Sequence, residues 1–501
     1  MIVTKIKDLF SKALIILSFF LFLSIFVYIN YIASPSFKAP VLKSLALTLG
    51  FLLIFIAVDY FMDKFKNKKV VYYAIIGIII FAGLLLRLYW TNSVSTIQIS
   101  DFGRMWESAG EIAEGNFSRF QKNGYLYTYP HLAFTTLFYS LIHMITGSSL
   151  MAMKLVNIGL SLLTAFLVYL ISGELSNGKK ATAIFIMAIN SPFIFFNNIL
   201  DSQNIAAPVF YFAVLLYLKV FKKKIHPLYL VAVGALLSLG NLFRSVGPIF
   251  VIAIIMHMLI FSSYSLIQKR KKGKPLKLDK ALLGPLCLVL MLVAMYVTTF
   301  VLNYIFIWAG VFQKPTWDTG GNLILYINAG FNHESNGMWN QEDYDLLRDV
   351  GFDYDKAEIE ARKRLEQRLS DKDKVLTLIS NKYRTQWGAG DFGGLYWSTV
   401  ELESNPKATN DMLVWLNYHF YYVQAFYSAL ILAIMLKLAR GYYKNEIKPE
   451  FYFGLILFVG FVCLHTLIEM QPRYGYIAMP MITALAAASI GERRSTDEGS
   501  V

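Results

Sequence analysis

Few residues in this chain have chemistry to offer, and they stand where an apolar chain has no need of them. Asp101 opens the helical part of QISDFGRMWE (98–107), just beyond the apolar run at 70–90, and Asp201 lies in FNNILDSQNIAAP (196–208). A carboxylate at such a place either caps the helix that follows or takes part in chemistry. Residue type alone leaves both readings open at each position, and DSQN also makes a good turn and helix start. Arg244 in GNLFRSVGP (240–248) and Arg473 in EMQPRYG (469–475) are the cationic counterparts. An arginine at the end of an apolar span needs a partner or a wet cavity, and a guanidinium can hold phosphate oxygens in a bidentate fork. The plainer alternatives are snorkelling and pairing of Arg473 with Glu469 one turn earlier. YLYTYPHLAF (125–134) gathers Tyr125, Tyr127, Tyr129 and His131 around Pro130, expected on one face. Such rings could stack on a sugar or simply anchor the chain at an interface. No second ligand stands at metal spacing from His131, so no metal site is assigned there.

These residues have to be positioned by a membrane-embedded scaffold. Of 501 residues 56% are hydrophobic and 16% charged, and the mean hydropathy is +0.49, beyond the range of a soluble domain. Apolar runs able to cross about 30 Å of hydrocarbon recur along nearly the whole chain. Runs this continuous satisfy their backbone only as helices. The fold expected is an all-α polytopic membrane protein, a helical bundle of about 12 spans. They are placed near 13–33, 41–62, 70–90, 150–172, 180–200, 203–221, 228–244, 247–267, 281–309, 411–437, 451–470 and 474–490. The first run is too long for a signal peptide and is expected to be retained. Cys287 and Cys463 fall inside spans as small apolar fillers.

Basic connections at 63–69, 176–180, 219–226, 268–280, 437–448 and 491–494 set the orientation. Both termini are expected to be cytoplasmic, with 131–147 lying as a half-buried helix on the outer face without crossing. The outside then receives 91–149, a turn at Asp201, and about 310–410. That last segment holds 12 Lys and Arg against 16 Asp and Glu. The net charge of +14 therefore belongs to the inner membrane surface and its anionic lipid, and no nucleic-acid partner is inferred. From Asp101 onward an amphipathic helix is expected, with Met105, Ala109, Ile112 and Ala113 on one face, Glu107, Glu111 and Glu114 on another, and a stop at Gly115 and Asn116. SDKD (370–373) reads as a cap between two helices of the large segment. Its Gly-, Asn- and Trp-rich start reads as a loop that closes over a site, while His333 and Glu334 read as structural. Arg87 reads as an ordinary snorkelling residue.

The order LLLRLYW, SDFGRMWESAGEIAEGNF, YTYPHLAF and the span after it resembles the first part of the GT-C membrane glycosyltransferases of family 39. That group includes protein O-mannosyltransferases and the bacterial lipid A aminoarabinose transferases. The similarity runs over about 70–310 and returns at 411–490. On this basis 1–69 are two additional N-terminal spans, 70–310 the GT-C core with its first outer loop at 91–149, 311–410 a mixed extracytoplasmic loop domain, 411–490 the C-terminal spans and 491–501 a cytoplasmic tail. The resemblance implies Asp101 as catalytic base, Asp201 as a second acidic group that orients the acceptor or raises the basicity of the first, and Arg244 and Arg473 against the donor phosphate. Tyr127, Tyr129, His131 and Glu469 become candidate substrate-binding residues. The family's first motif is often an acidic pair, and here its second position is Phe102, which weakens the case for a divalent metal without removing it. The implied activity is inverting transfer of a hexose or pentose from a polyprenyl-phosphate donor to an envelope glycopolymer, glycolipid or protein, at the outer face of the plasma membrane. A polysaccharide polymerase and, with less support, a secondary transporter remain alternatives. The sugar, the acceptor and the oligomeric state stay open.

Overall fold

The computed structural model describes residues 2–32, 41–176, 178, 180–262, 278–320, 323–403, 406–444 and 446–491. Most of the basic stretch 268–280 and the tail after 491 lie outside the described residues. The chain begins with three long apolar helices, α1 (Ile2–Val27), α2 (Val41–Phe65) and α3 (Lys69–Ser93). The amphipathic α4 (Ser100–Ala113), the single turn α5 (Tyr125–Thr128) and α6 (Ala133–Thr146) follow. Then come α7 (Leu150–Leu175), α8 (Ala181–Ile189), α9 (Pro192–Phe195), α10 (Gln203–Phe221), α11 (Tyr229–Phe243), α12 (Gly247–His257) and α13 (Leu278–Trp308). The 310–410 segment carries α14 (Leu323–Gly330), α15 (Gln341–Asp349), α16 (Tyr354–Leu369), α17 (Lys372–Trp387) and α18 (Gly394–Thr399). The chain returns through α19 (Pro406–Lys444), α20 (Pro449–Leu467) and α21 (Met479–Ser489).

Eight of these helices are long and apolar enough to cross a membrane, and the bent pair Ala181–Ile189 and Pro192–Asn198 adds a ninth if it is one span. The spans expected at 228–244, 247–267 and 474–490 form shorter apolar helices. The 131–147 segment is likewise a short helix, α6, packed on α4. α10 lies between α7 and α11, and α11 lies along α13. A Cβ at Gly234 would collide with the Met291 carbonyl, so the glycine is what lets the α11 and α13 backbones approach. The first two helices pack on α19, and Phe22 of α1 stacks on Phe458 of α20 with ring centroids 4.4 Å apart. Ion pairs mark the basic end of the bundle, where Asp59 meets Lys180 at 3.2 Å and Glu174 meets Lys224 at 2.6 Å.

The span expected at 180–200 is broken by 61° where Pro192 removes a backbone donor. Freed carbonyls in an apolar bundle must find other donors. Arg87 supplies several: it is fully buried and donates to Met187 O, Ala188 O, Gly83 O and Ser161 Oγ at 2.9–3.0 Å. Asn157 and Ser161 of α7 complete the set, bonding Asn197 O, Ile199 O and Phe193 O. The snorkelling reading of Arg87 is therefore corrected: the side chain turns inward and holds the broken helix.

Among the described residues the 310–410 segment combines loops with helices, and one isolated antiparallel bridge joins Thr96 to Leu402. Asp371 does cap α17, accepting from Asp373 N and Lys374 N. His333 Nε2 lies 2.8 Å from Arg368 O, a structural contact as expected. Asp343 accepts from Asn328, Asn332, Asn340 and Arg368. Burial works to raise its carboxyl, but these donors outweigh it and hold it below the usual carboxylate range.

Candidate active site

The segment that follows α3 supplies the carboxylate. α4 spans the residues expected of it and buries Phe102, Met105, Ala109 and Ile112, while Gly115 at φ +85° ends it. Asp101 is not the N-cap, a position held by Ile99, but sits in the first turn. Its Oδ1 accepts from the Tyr125 hydroxyl at 2.8 Å, and its Oδ2 lies 3.4 Å from Arg473 Nη2. The Asp101 side chain keeps 43% of its surface exposed, whereas that of Arg473 keeps 6%. A half-open carboxylate with two donors on one side retains lone pairs for a third partner.

Arg473 lies in the 3-10 turn Pro472–Ala478. Its guanidinium is packed between Phe102 and Trp397, 4.7 and 4.9 Å from their ring centroids. Nε and Nη1 are buried without a protein partner. Burial disfavours its charge, but Tyr474, Asp201 and Asp101 more than offset this. Asp201 is 2% exposed and binds Gln203 through N and Nε2. Gln203 in turn donates to Arg473 O and accepts from Ile477 N. The second acidic residue thus stands behind the arginine and braces its backbone.

Glu469 does not pair with Arg473: its carboxylate faces the Tyr474 hydroxyl at 3.2 Å and Gln471 Nε2 at 3.4 Å. Burial raises its carboxyl above the usual range. The strand-like stretch around it is pinned from the 310–410 segment, with Glu469 N on Tyr326 O and Met470 N on Gly337 O, each at 2.8 Å. Buried Lys382 of α17 adds three bonds of 2.8 Å, to Gly330 O, Thr466 O and Ile468 O. Burial pushes its amine down to about 8.

A cavity of about 1000 Å³ opens beside this assembly, lined by Tyr127, His131, Arg244, Glu469 and Tyr474, and also by Lys314, Trp317, Leu323, Tyr354 and Glu358 of the large segment. Arg244 leaves α11 in extended conformation and lies over the Tyr474 ring at 4.4 Å, and the Arg473 guanidinium approaches the same ring at 5.6 Å. Neither Asp101 nor Arg473 is among the lining residues. Arg473 stands next to the wall residue Tyr474, and Asp101 is linked to the wall through Tyr125, Tyr129 and His131, whose successive ring centroids are 5.2 and 6.2 Å apart. The four residues around Pro130 do not share one face: Tyr125 turns to Asp101, while Tyr127 and His131 face the cavity. Burial, with Arg244 nearby, pushes the His131 imidazole down to about 4, so it is neutral at ordinary pH.

Among the described residues no three His, Cys, Asp or Glu side chains come together as metal ligands. The donor set at Asp101, a phenol and a guanidinium, does not fit a divalent cation, and no step below is routed through one. Sequence reasoning missed the bond from Tyr125 to Asp101, the ring of Trp397 against Arg473, and Lys382. Only Tyr125 carried a signal, as one of the tyrosines in the first loop.

Fold and site together define a polytopic helical membrane protein with a carboxylate and arginine centre beside a cavity at one end of the bundle. Residues 133–296 match the family model described as dolichyl-phosphate-mannose-protein mannosyltransferase, and this similarity over about a third of the chain supports a GT-C, family 39-like protein. The match supports, in general terms, a membrane glycosyltransferase that draws on a polyprenyl-phosphate-linked sugar. No curated protein and no solved structure matched the chain. The matched third of the chain begins at α6 and runs into α13, so it includes Asp201 and Arg244 but neither Asp101 nor Arg473.

Proposed function

We propose that the protein is an inverting glycosyltransferase that moves a sugar from a polyprenyl phosphate to a hydroxyl of an envelope glycan, glycolipid or protein at the outer face of the plasma membrane. Asp101 takes the proton of the acceptor hydroxyl as that oxygen bonds to the anomeric carbon. The bond from that carbon to the phosphate oxygen breaks, and polyprenyl phosphate departs with the electron pair. Arg244, facing the cavity, holds the phosphate, and Arg473 meets the developing charge with its unpartnered nitrogens. Tyr127, Tyr129, His131 and Glu469 border the path of the sugar, and Asp201 serves by bracing Arg473. The division into a core, two added N-terminal helices and a large outer segment belongs to the same reading.

The observation that carries it is the Asp101 carboxylate, half exposed and 3.4 Å from a buried arginine, beside a cavity that holds a second arginine. A polymerase or a transporter gives no reason for that convergence. The test is a structure of the purified protein with polyprenyl phosphate. Phosphate density against Arg244, within a sugar's width of Asp101, supports the reading. A lipid bound elsewhere, with Asp101 remote from it, contradicts it.

A further inference from the structure

We propose that Tyr125 is a positioning residue for the base, its hydroxyl fixing the Asp101 carboxylate so that the free lone pairs face the acceptor hydroxyl. The inference rests on the reading of Asp101 as the base and adds a residue to it.

Three observations support it. The Tyr125 hydroxyl donates to Asp101 Oδ1 at 2.8 Å, a strong bond to a charged acceptor. Burial, and then the Asp101 charge, push the phenol well above its ordinary value, so it remains a donor throughout the working pH range. The loop is also built to deliver the ring. Arg119 forks onto Glu111 at 2.9 and 2.7 Å, closing the turn after α4. A Cβ at Gly124, the N-cap of α5, would stand 2.5 Å from Arg119 O, so only glycine lets the chain fold back far enough to start α5 there. The Arg104 guanidinium lies over the Tyr125 ring at 5.3 Å and holds its face.

With Tyr125 on one oxygen and Arg473 on the other, the carboxylate has two anchors and no freedom to rotate toward its own helix. Removing the hydroxyl alone should therefore loosen the base and lower kcat while leaving donor KM unchanged, a split that a merely structural tyrosine would not give.

The experiment compares wild type, Tyr125→Phe and Asp101→Asn in lipid vesicles with a polyprenyl-phosphate sugar donor, recording kcat, donor KM and melting temperature. Tyr125→Phe should keep its melting temperature and donor KM and lose about tenfold in kcat. A wild-type kcat in Tyr125→Phe, or a fall in kcat accompanied by lost thermal stability, with Asp101→Asn inactive, overturns the inference and leaves the base in place. Wild-type turnover in Asp101→Asn overturns the reading beneath it as well.

Discussion

Arg473 Nη2 lies 3.4 Å from Asp101 Oδ2, although 372 residues separate them in the chain. The contact joins α4 to the turn ahead of the last helix, and Phe102, beside Asp101, closes over the arginine at the same point. An arginine held between two rings has little freedom, so its guanidinium is presented in a fixed direction before any substrate arrives.

The two arginines should separate in kinetics. Arg244 faces the cavity and Arg473 faces the base. Arg244→Ala is expected to weaken donor binding by about 1.5 to 3 kcal/mol, the worth of a hydrogen bond to a charged group, with a smaller effect on kcat. Arg473→Ala is expected to lower kcat as well, because Asp101 loses an anchor. Titration of each variant with polyprenyl phosphate, alongside turnover, checks both; equal effects on KM and kcat in the two variants would remove the distinction.

Arg87→Met should impair folding and leave chemistry alone. It strips donors from Met187 O and Ala188 O at the break between α8 and α9, at about 1 to 3 kcal/mol for each buried acceptor left unpaired. A lower yield of folded protein with normal donor KM in the surviving fraction is the expected result. Unchanged thermal stability would mean that the break is held by α7 alone.

Lys382 gives a pH dependence with a definite sign. Its amine falls from 10.5 in the unfolded chain to about 8 in the fold. Between those values the unfolded state binds more protons, so this group's contribution makes stability rise with pH. Below pH 8 the full cost of burying the charge applies. The stability of wild type relative to Lys382→Met should therefore increase between pH 8 and about pH 10 in thermal unfolding; a constant difference would show that the lysine does not titrate in that window.

Much of the scaffold was legible from periodicity. The bounds and apolar face of α4, its stop at Gly115, the cap at Asp371 and the short helix α6 all follow from local pattern, which depends on near neighbours in the chain. The expected span at 180–200 shows where that logic ends. Its hydropathy is that of an ordinary helix, and the break at Pro192 holds only because Arg87, Asn157 and Ser161 sit on other helices. Arg87 was misread for the same reason, since an arginine at a span end looks alike whether it reaches outward or inward. Within the site the individual residues were legible and their partners were not: Asp101 and Arg473 were separate candidates, and the sequence offered Glu469 as the nearer carboxylate. Lys382 was hidden among the many charges of an amphipathic helix.

The central claim is that Asp101 takes the acceptor's proton, and single-turnover transfer by Asp101→Asn tests it most directly. The enzyme would be loaded with a polyprenyl-phosphate sugar in vesicles and then mixed with acceptor. A loss of about 10²- to 10⁴-fold in transfer rate, with donor affinity unchanged, is the result predicted for a missing base. Transfer at the wild-type rate would contradict the account, because asparagine keeps the size of the side chain but does not accept the proton.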